Sequence, residues 1–203
     1  LSTATVGDGV REACLRVARD IIVAEGPDKL SIREVARTLG ISHQTPYRHF
    51  QSRDHLVAEV IGRCFADFGR HLRSAAQGIE EPISALLAMG QAYLAYVHEH
   101  PRLYRILFVD TLPPPEDFPD MVRCASDAFD ALRGSLIALY ESQGRAEPTA
   151  EAERNALHIW ATLHGLGTLM SHPATRAAEL PEHLVAEAPF YAFACLKPLL
   201  LPN

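Results

Sequence analysis

The stretch from Ser31 to Asp54 limits what this chain can fold into more than any other. Ser31 and Glu34 stand in the S-x-x-E spacing of a capping box, which opens a helix by satisfying its first backbone N–H groups. Leu30 and Val35 are spaced as the hydrophobic staple beside it. Ile32, Val35, Ala36 and Leu39 recur at i, i+3, i+4 and i+7, one apolar helical stripe. Gly40 follows where a left-handed C-terminal cap favours a residue without Cβ. Ile41 plugs the corner, and Ser42 is placed to cap a second short helix. A helix, a glycine turn and a short helix make a helix-turn-helix, a unit whose second helix lies in the DNA major groove.

Charge agrees with that reading. Residues 29–53 carry Lys29, Arg33, Arg37, Arg48 and Arg53 against Glu34 alone, in a chain of net charge −6. A local cationic excess is what phosphate binding requires, because released counterions drive it. Pro46 is the irregular element. It has no N–H and disfavours the helical region at Thr45, so Ser42 and Thr45 both remain possible starts for the second helix.

Three groups of residues, Gly40-Ile41-Ser42, Tyr47-Arg48-His49-Phe50 and Ser52-Arg53-Asp54-His55-Leu56, together resemble the signature of TetR-type transcriptional repressors. Pro46 stands where that family often has an aliphatic residue. The segment Trp160-Ala161-Thr162-Leu163-His164-Gly165 is similar to the Trp…His-Gly stretch of one ligand-binding subclass of the same family. The resemblance implies a homodimer paired through the last two helices, operator DNA as partner and a small-molecule pocket in the helical body. It also implies that Tyr47, His49, Ser52 and Arg53 hold the phosphate backbone. Base contacts come from the front of the recognition helix in this class of fold. His43, Gln44 and Thr45 occupy that place, and Arg33 stands at the front of the preceding helix. Gln44 suits an adenine edge, Thr45 a thymine methyl and His43 a guanine acceptor. Phe50 reads as core, and Arg48 reads equally as a solvated cation or a phosphate contact.

The rest of the chain reads as helices without strands, since no segment alternates with period two. Val10 to Gly26 carries a helical stripe, with Arg11, Arg16 and Arg19 on its polar side. A long helix from Ser52 to about Ala76 repeats Leu56, Val60, Cys64 and Phe68 every four residues. Further helices are expected from Pro82, from Pro101, over 118–143, over 151–171 and over 180–197, with Pro113-Pro114-Pro115 as a loop. The sum is an all-α chain of about nine helices. A three-helix DNA-binding domain over 1–54 precedes a helical ligand-binding and dimerisation bundle over 55–203. The segment 151–171 gathers small residues, Ala152, Ala156, Ala161, Gly165 and Gly167. The last helix is apolar nearly all round through Val185, Ala186, Ala188, Phe190, Tyr191, Phe193, Ala194 and Leu196, which points to a second subunit.

Aromatic and methionine side chains suit a mostly apolar pocket. Met89, Tyr93, Tyr96, Phe108, Phe129, Trp160, His164 and Met170 are the candidates, with ordinary core packing the alternative for each. No cofactor is expected. Cys14, Cys64, Cys124 and Cys195 form no C-x-x-C pair and read as small hydrophobes. His98, Glu99 and His100, or His158 with His164, match no metal motif such as H-E-x-x-H, which argues against a metal-dependent enzyme. A protein-binding adaptor without DNA binding is the stronger rival, and salt-sensitive binding to duplex DNA separates the two. No apolar run reaches the ~18–20 residues of a membrane helix. Leu1–Gly9 lack the basic start of a signal peptide, so the expected location is the cytoplasm.

Overall fold

The computed structural model describes residues 4–108, 110–171 and 182–201. Among them are eight α-helices and no strand: α1 (Ala4–Glu25), α2 (Ile32–Leu39), α3 (Arg53–Ala76), α4 (Pro82–Glu99), α5 (Pro101–Phe108), α6 (Pro119–Ser142), α7 (Pro148–Ser171) and α8 (Glu182–Leu200). Three single 3₁₀ turns lie at Pro27–Lys29, Pro46–Arg48 and Pro115–Asp117. The all-α expectation is met, and the Pro46–Arg48 turn stands where a ninth helix was expected. The expected start of the last helix at Leu180 and the side chains of Val185 and Ala186 lie outside the described residues.

Two compact units form. The first joins residues 1–66 with 102–125, and the second joins 67–101 with 126–203. In the first unit, Cys14, Ala18 and Ile22 of α1 are buried, as are Ile32, Val35 and Ala36 of α2 and Leu56, Val60 and Ile61 of α3. Phe50 is fully buried, so it is core as expected. Ion pairs tie α1 to α3: Arg11 meets Glu59 at 2.7 Å and Arg63 meets Glu12 at 2.6 Å. The Arg11 guanidinium also lies 5.7 Å from the centre of the Phe50 ring. Arg11 therefore serves packing within this unit, while Arg16 and Arg19 are exposed.

The second unit packs α4, α7 and α8 on one another. Glu81 caps α4, its carboxylate accepting from the backbone N–H of Ile83 at 2.9 Å and of Ser84 at 2.6 Å, while Pro82 takes a position where no N–H is needed. Gly90 lets α8 close on α4: a Cβ there would stand 2.6 Å from Cε1 of Phe193. The small residues of α7 do not share one outer face. Ala152, Ala156 and Gly167 are buried, whereas Ala161 is exposed, because these positions wrap round the helix. No described helix is long and apolar enough to cross a membrane.

Candidate DNA-binding and ligand sites

The helix-turn-helix turn is built as its residues demand. Gly40 closes α2 in the left-handed region at φ 66°, ψ 27°. Its N–H reaches the Arg37 carbonyl at 3.1 Å, and the Ile41 N–H reaches Ala36 at 3.0 Å. These two bonds are the Schellman pattern, which satisfies carbonyls left over at a helix end. The front of α2 differs from the expected capping box. Ser31 is the N-cap residue but its side chain makes no capping bond. Glu34 turns instead to Arg37, receiving Nε at 2.9 Å and Nη2 at 2.5 Å. A charged guanidinium one turn away is the stronger donor, and it holds the Glu34 carboxyl below the usual carboxylate range. The pair also cancels one of the five local cations.

The recognition element divides at Pro46. Thr45, not Ser42, is the N-cap residue of the 3₁₀ turn Pro46–Arg48, without a side-chain capping bond, while Ser42 Oγ accepts from the Gln44 N–H at 3.3 Å in the local turn before it. One turn closes from the Thr45 N–H to the Ser42 carbonyl at 2.9 Å. The ring nitrogen of Pro46 has no proton to continue the ladder, and the chain tightens into the 3₁₀ turn Pro46–Arg48. Thr45 lies in the helical region at φ −64°, ψ −45°, against the usual bias before proline. Burial of the Pro46 ring holds it there.

This arrangement brings the expected contact residues together on the first unit. Arg33, His43, Gln44, Tyr47 and Ser52 are exposed, and Thr45 and His49 are half-buried. His43 Nε2 and Gln44 Nε2 lie 3.3 Å apart. Ser52 caps α3, its Oγ accepting from the His55 N–H at 3.0 Å. Arg53 has a more tethered position than a free phosphate ligand. Its Nε donates to the Leu30 carbonyl at 3.0 Å, Nη1 to Asp54 at 2.6 Å and Nη2 to the Pro27 carbonyl.

The second unit holds a partly open apolar recess of ≈ 40 Å³. Of the residues expected to line a pocket, Met89, Tyr93 and Trp160 do so. Phe68 centres an aromatic cluster behind them, 5.5 Å from Tyr93, 4.9 Å from Tyr96 and 6.2 Å from Trp160, ring centre to ring centre. Phe129 meets Trp160 at 5.4 Å. His164 Nδ1 stands 3.2 Å from the Tyr93 hydroxyl, and burial pulls its imidazole below the usual value. Met170 is half-buried on α7. Phe108 belongs to the first unit, where it meets Phe65 at 5.7 Å and Tyr104 at 5.1 Å. The remaining walls are Leu72, Leu86, Leu87, Gly90, Leu132, Ile159, Leu163, Phe193, Leu196 and Leu200. Aliphatic residues of this kind have no chemical signature in a sequence, and only packing assigns them.

Residues 86–188 match the family model "Tetracyclin repressor-like, C-terminal domain", and residues 15–60 match "Bacterial regulatory proteins, tetR family". An HTH-type transcriptional regulator of Mycobacterium tuberculosis is 29% identical over 155 residues, 76% of this chain and 67% of that protein. A protein of unknown function from Rhodococcus sp. RHA1 shares the fold with a TM-score of 0.75 at 22% identity, covering 95% of this chain and 96% of the other. FadR of Bacillus subtilis, solved in complex with stearoyl-CoA, shares it with a TM-score of 0.68 at 13% identity, covering 95% and 98%. The glycine-turned helix-turn-helix and a C-terminal match over half the chain lead to one conclusion: this chain belongs to the TetR family of transcriptional regulators and carries its helix-turn-helix DNA-binding domain.

Proposed function

We propose that the chain is a repressor that grips a palindromic operator as a homodimer and lets go when a small molecule enters the recess of the second unit. By role, residues 1–54 read DNA and residues 55–203 bind ligand and partner. Arg33, His43, Gln44 and Thr45 face base edges, and Tyr47, His49, Ser52 and Arg53 hold phosphates. The observation that carries the DNA reading is the exposed set Arg33, His43, Gln44 and Tyr47 beside a rigid Schellman turn. Lys29, Arg33 and Arg48 add exposed cations with no carboxylate partner among the described residues. Base contacts specify and phosphate contacts position, so the two sets carry separable signatures.

The dimer reading is supported by large apolar side chains left exposed on the last two helices: Leu157 at 65%, Leu169 at 60%, Phe190 at 70% and Tyr191 at 54%. A second copy covering this face would supply the second recognition element that two half-sites ~34–36 Å apart require. Release follows from linkage. A ligand that fits only the form unable to bind both half-sites lowers DNA affinity, and DNA lowers ligand affinity by the same factor.

The test is a binding titration of duplexes selected from a random pool, with anisotropy read across a salt series. Sequence-selective, salt-sensitive binding by a dimer is expected. Failure to retain any duplex at low salt would leave the adaptor reading in place.

A further inference from the structure

We infer that the effector filling the recess is an uncharged, mostly hydrocarbon molecule. The inference rests on the proposed reading of the recess as the effector site and narrows the chemistry that site accepts. Among the described residues, no Lys, Arg, His, Asp or Glu lines it. The polar atoms its lining side chains carry are the Tyr93 hydroxyl and the Trp160 indole nitrogen, and the hydroxyl already meets His164 Nδ1 at 3.2 Å. A carboxylate or phosphate moved into such surroundings gives up its hydration and finds no cation, and an ammonium finds no carboxylate. His164, the titratable group behind Tyr93, is no substitute, since its burial favours the neutral ring. The walls favour hydrocarbon directly. Leu132, Ile159 and Leu163 supply branched aliphatic surface, and the Phe193 ring approaches α4 closely because position 90 has no side chain. The stearoyl-CoA held by the structurally similar FadR has a heavily anionic head, for which the described lining offers no cation.

Trp160 is the chain's one tryptophan and lines the recess, so its fluorescence reports on that site alone. The full chain is titrated near neutral pH with 1-octanol, octanoate and octylammonium, probes of equal chain length and different head charge. Octanol is expected to bind about tenfold or more tighter than either ion. Lengthening from 1-hexanol to 1-octanol is expected to tighten binding about three- to fourfold per methylene. Leu87→Lys places a cation at a half-exposed lining position and is expected to raise octanoate affinity to that of the alcohol. Equal or tighter binding of octanoate or octylammonium to the unaltered chain overturns the inference. So does silence of Trp160 towards all three probes. If octanol binds selectively yet leaves operator affinity unchanged, the ligand class stands and the proposed release mechanism fails instead.

Discussion

Arg53 Nε donates to the Leu30 carbonyl at 3.0 Å, so the first residue of α3 braces the turn that precedes α2. The same guanidinium also holds the Pro27 carbonyl. A cation that resembles a phosphate ligand in sequence is thus also a structural tie. Its loss has two separable consequences. Arg53→Ala is expected to lower stability by about 1–2 kcal/mol, since hydrogen bonds from a half-exposed charged group are removed. It is also expected to weaken DNA binding evenly across sequences and flatten the salt dependence by about one unit of slope. Urea unfolding reads the first and a salt series the second. A change in the preferred base at one operator position would contradict the assignment.

Pro46→Ala restores a backbone N–H one turn after Ser42. The turn at 42–45 and the 3₁₀ turn at 46–48 are then free to join as one helix. Hydrogen exchange is expected to show a protected amide at position 46. Net stability is expected to fall by about 1–2 kcal/mol, because the gained bond only partly offsets the extra freedom of the unfolded chain and the buried ring carbons that are lost. An unprotected amide would show that something other than the missing proton divides this element.

Arg145 is the residue that secures the end of α8. Its side chain is only 7% exposed, it pairs with Glu151, and its guanidinium lies 3.8 Å from the centre of the Tyr140 ring. It donates to the carbonyls of Leu199, at 3.3 Å, and Leu201, while the Tyr140 hydroxyl donates to Leu199 at 2.7 Å and Gln143 Nε2 to Leu200 at 2.8 Å. Orphan carbonyls at a helix end are thus capped by a distant corner of the chain. Arg145→Ala is expected to destabilise the chain by about 3 kcal/mol, because Glu151 and the carbonyls lose a buried donor. Thermal or urea unfolding measures it, and a loss below about 0.5 kcal/mol would mean the cluster is ornamental.

His164 gives the second unit a pH dependence. Burial lowers its affinity for a proton, so the unfolded chain protonates first as the solution is acidified. Its contribution to stability is complete above the ordinary imidazole value of about 6.5 and declines as pH falls from there to the lowered folded value. His164→Gln is expected to remove that acid limb. Unfolding measured on both sides of the window checks it, and an unchanged slope would assign the limb to another group.

Phe190 is 70% exposed on α8 beside Tyr191, whose ring centre lies 5.7 Å away. In a dimer joined through this face, Phe190→Glu brings two like charges into an apolar seam. Sedimentation is expected to show association weakened at least about a hundredfold, toward the monomer, with circular dichroism unchanged. A dimer of undiminished strength would place the interface elsewhere.

Helix positions and the glycine turn are legible in residue order because they depend on neighbours three and four apart. The stripe of Ile32, Val35 and Ala36 and the left-handed Gly40 needed no distant partner, and both are as the spacing implies. So is the Ser52 cap, which closes over three residues. Tertiary structure decided what was settled by competition or by distance. Glu34 chose Arg37 over the cap in a local competition within α2, whereas Arg53 spent its fork on the turn before α2 and Phe108 joined the first unit while Tyr93 and Trp160 lined a recess in the second. The aliphatic walls of that recess and the Arg145 clamp on α8 also have no local signature. A leucine or arginine takes its role from whichever surfaces the folded chain brings beside it, and those surfaces lie tens of residues away along the sequence.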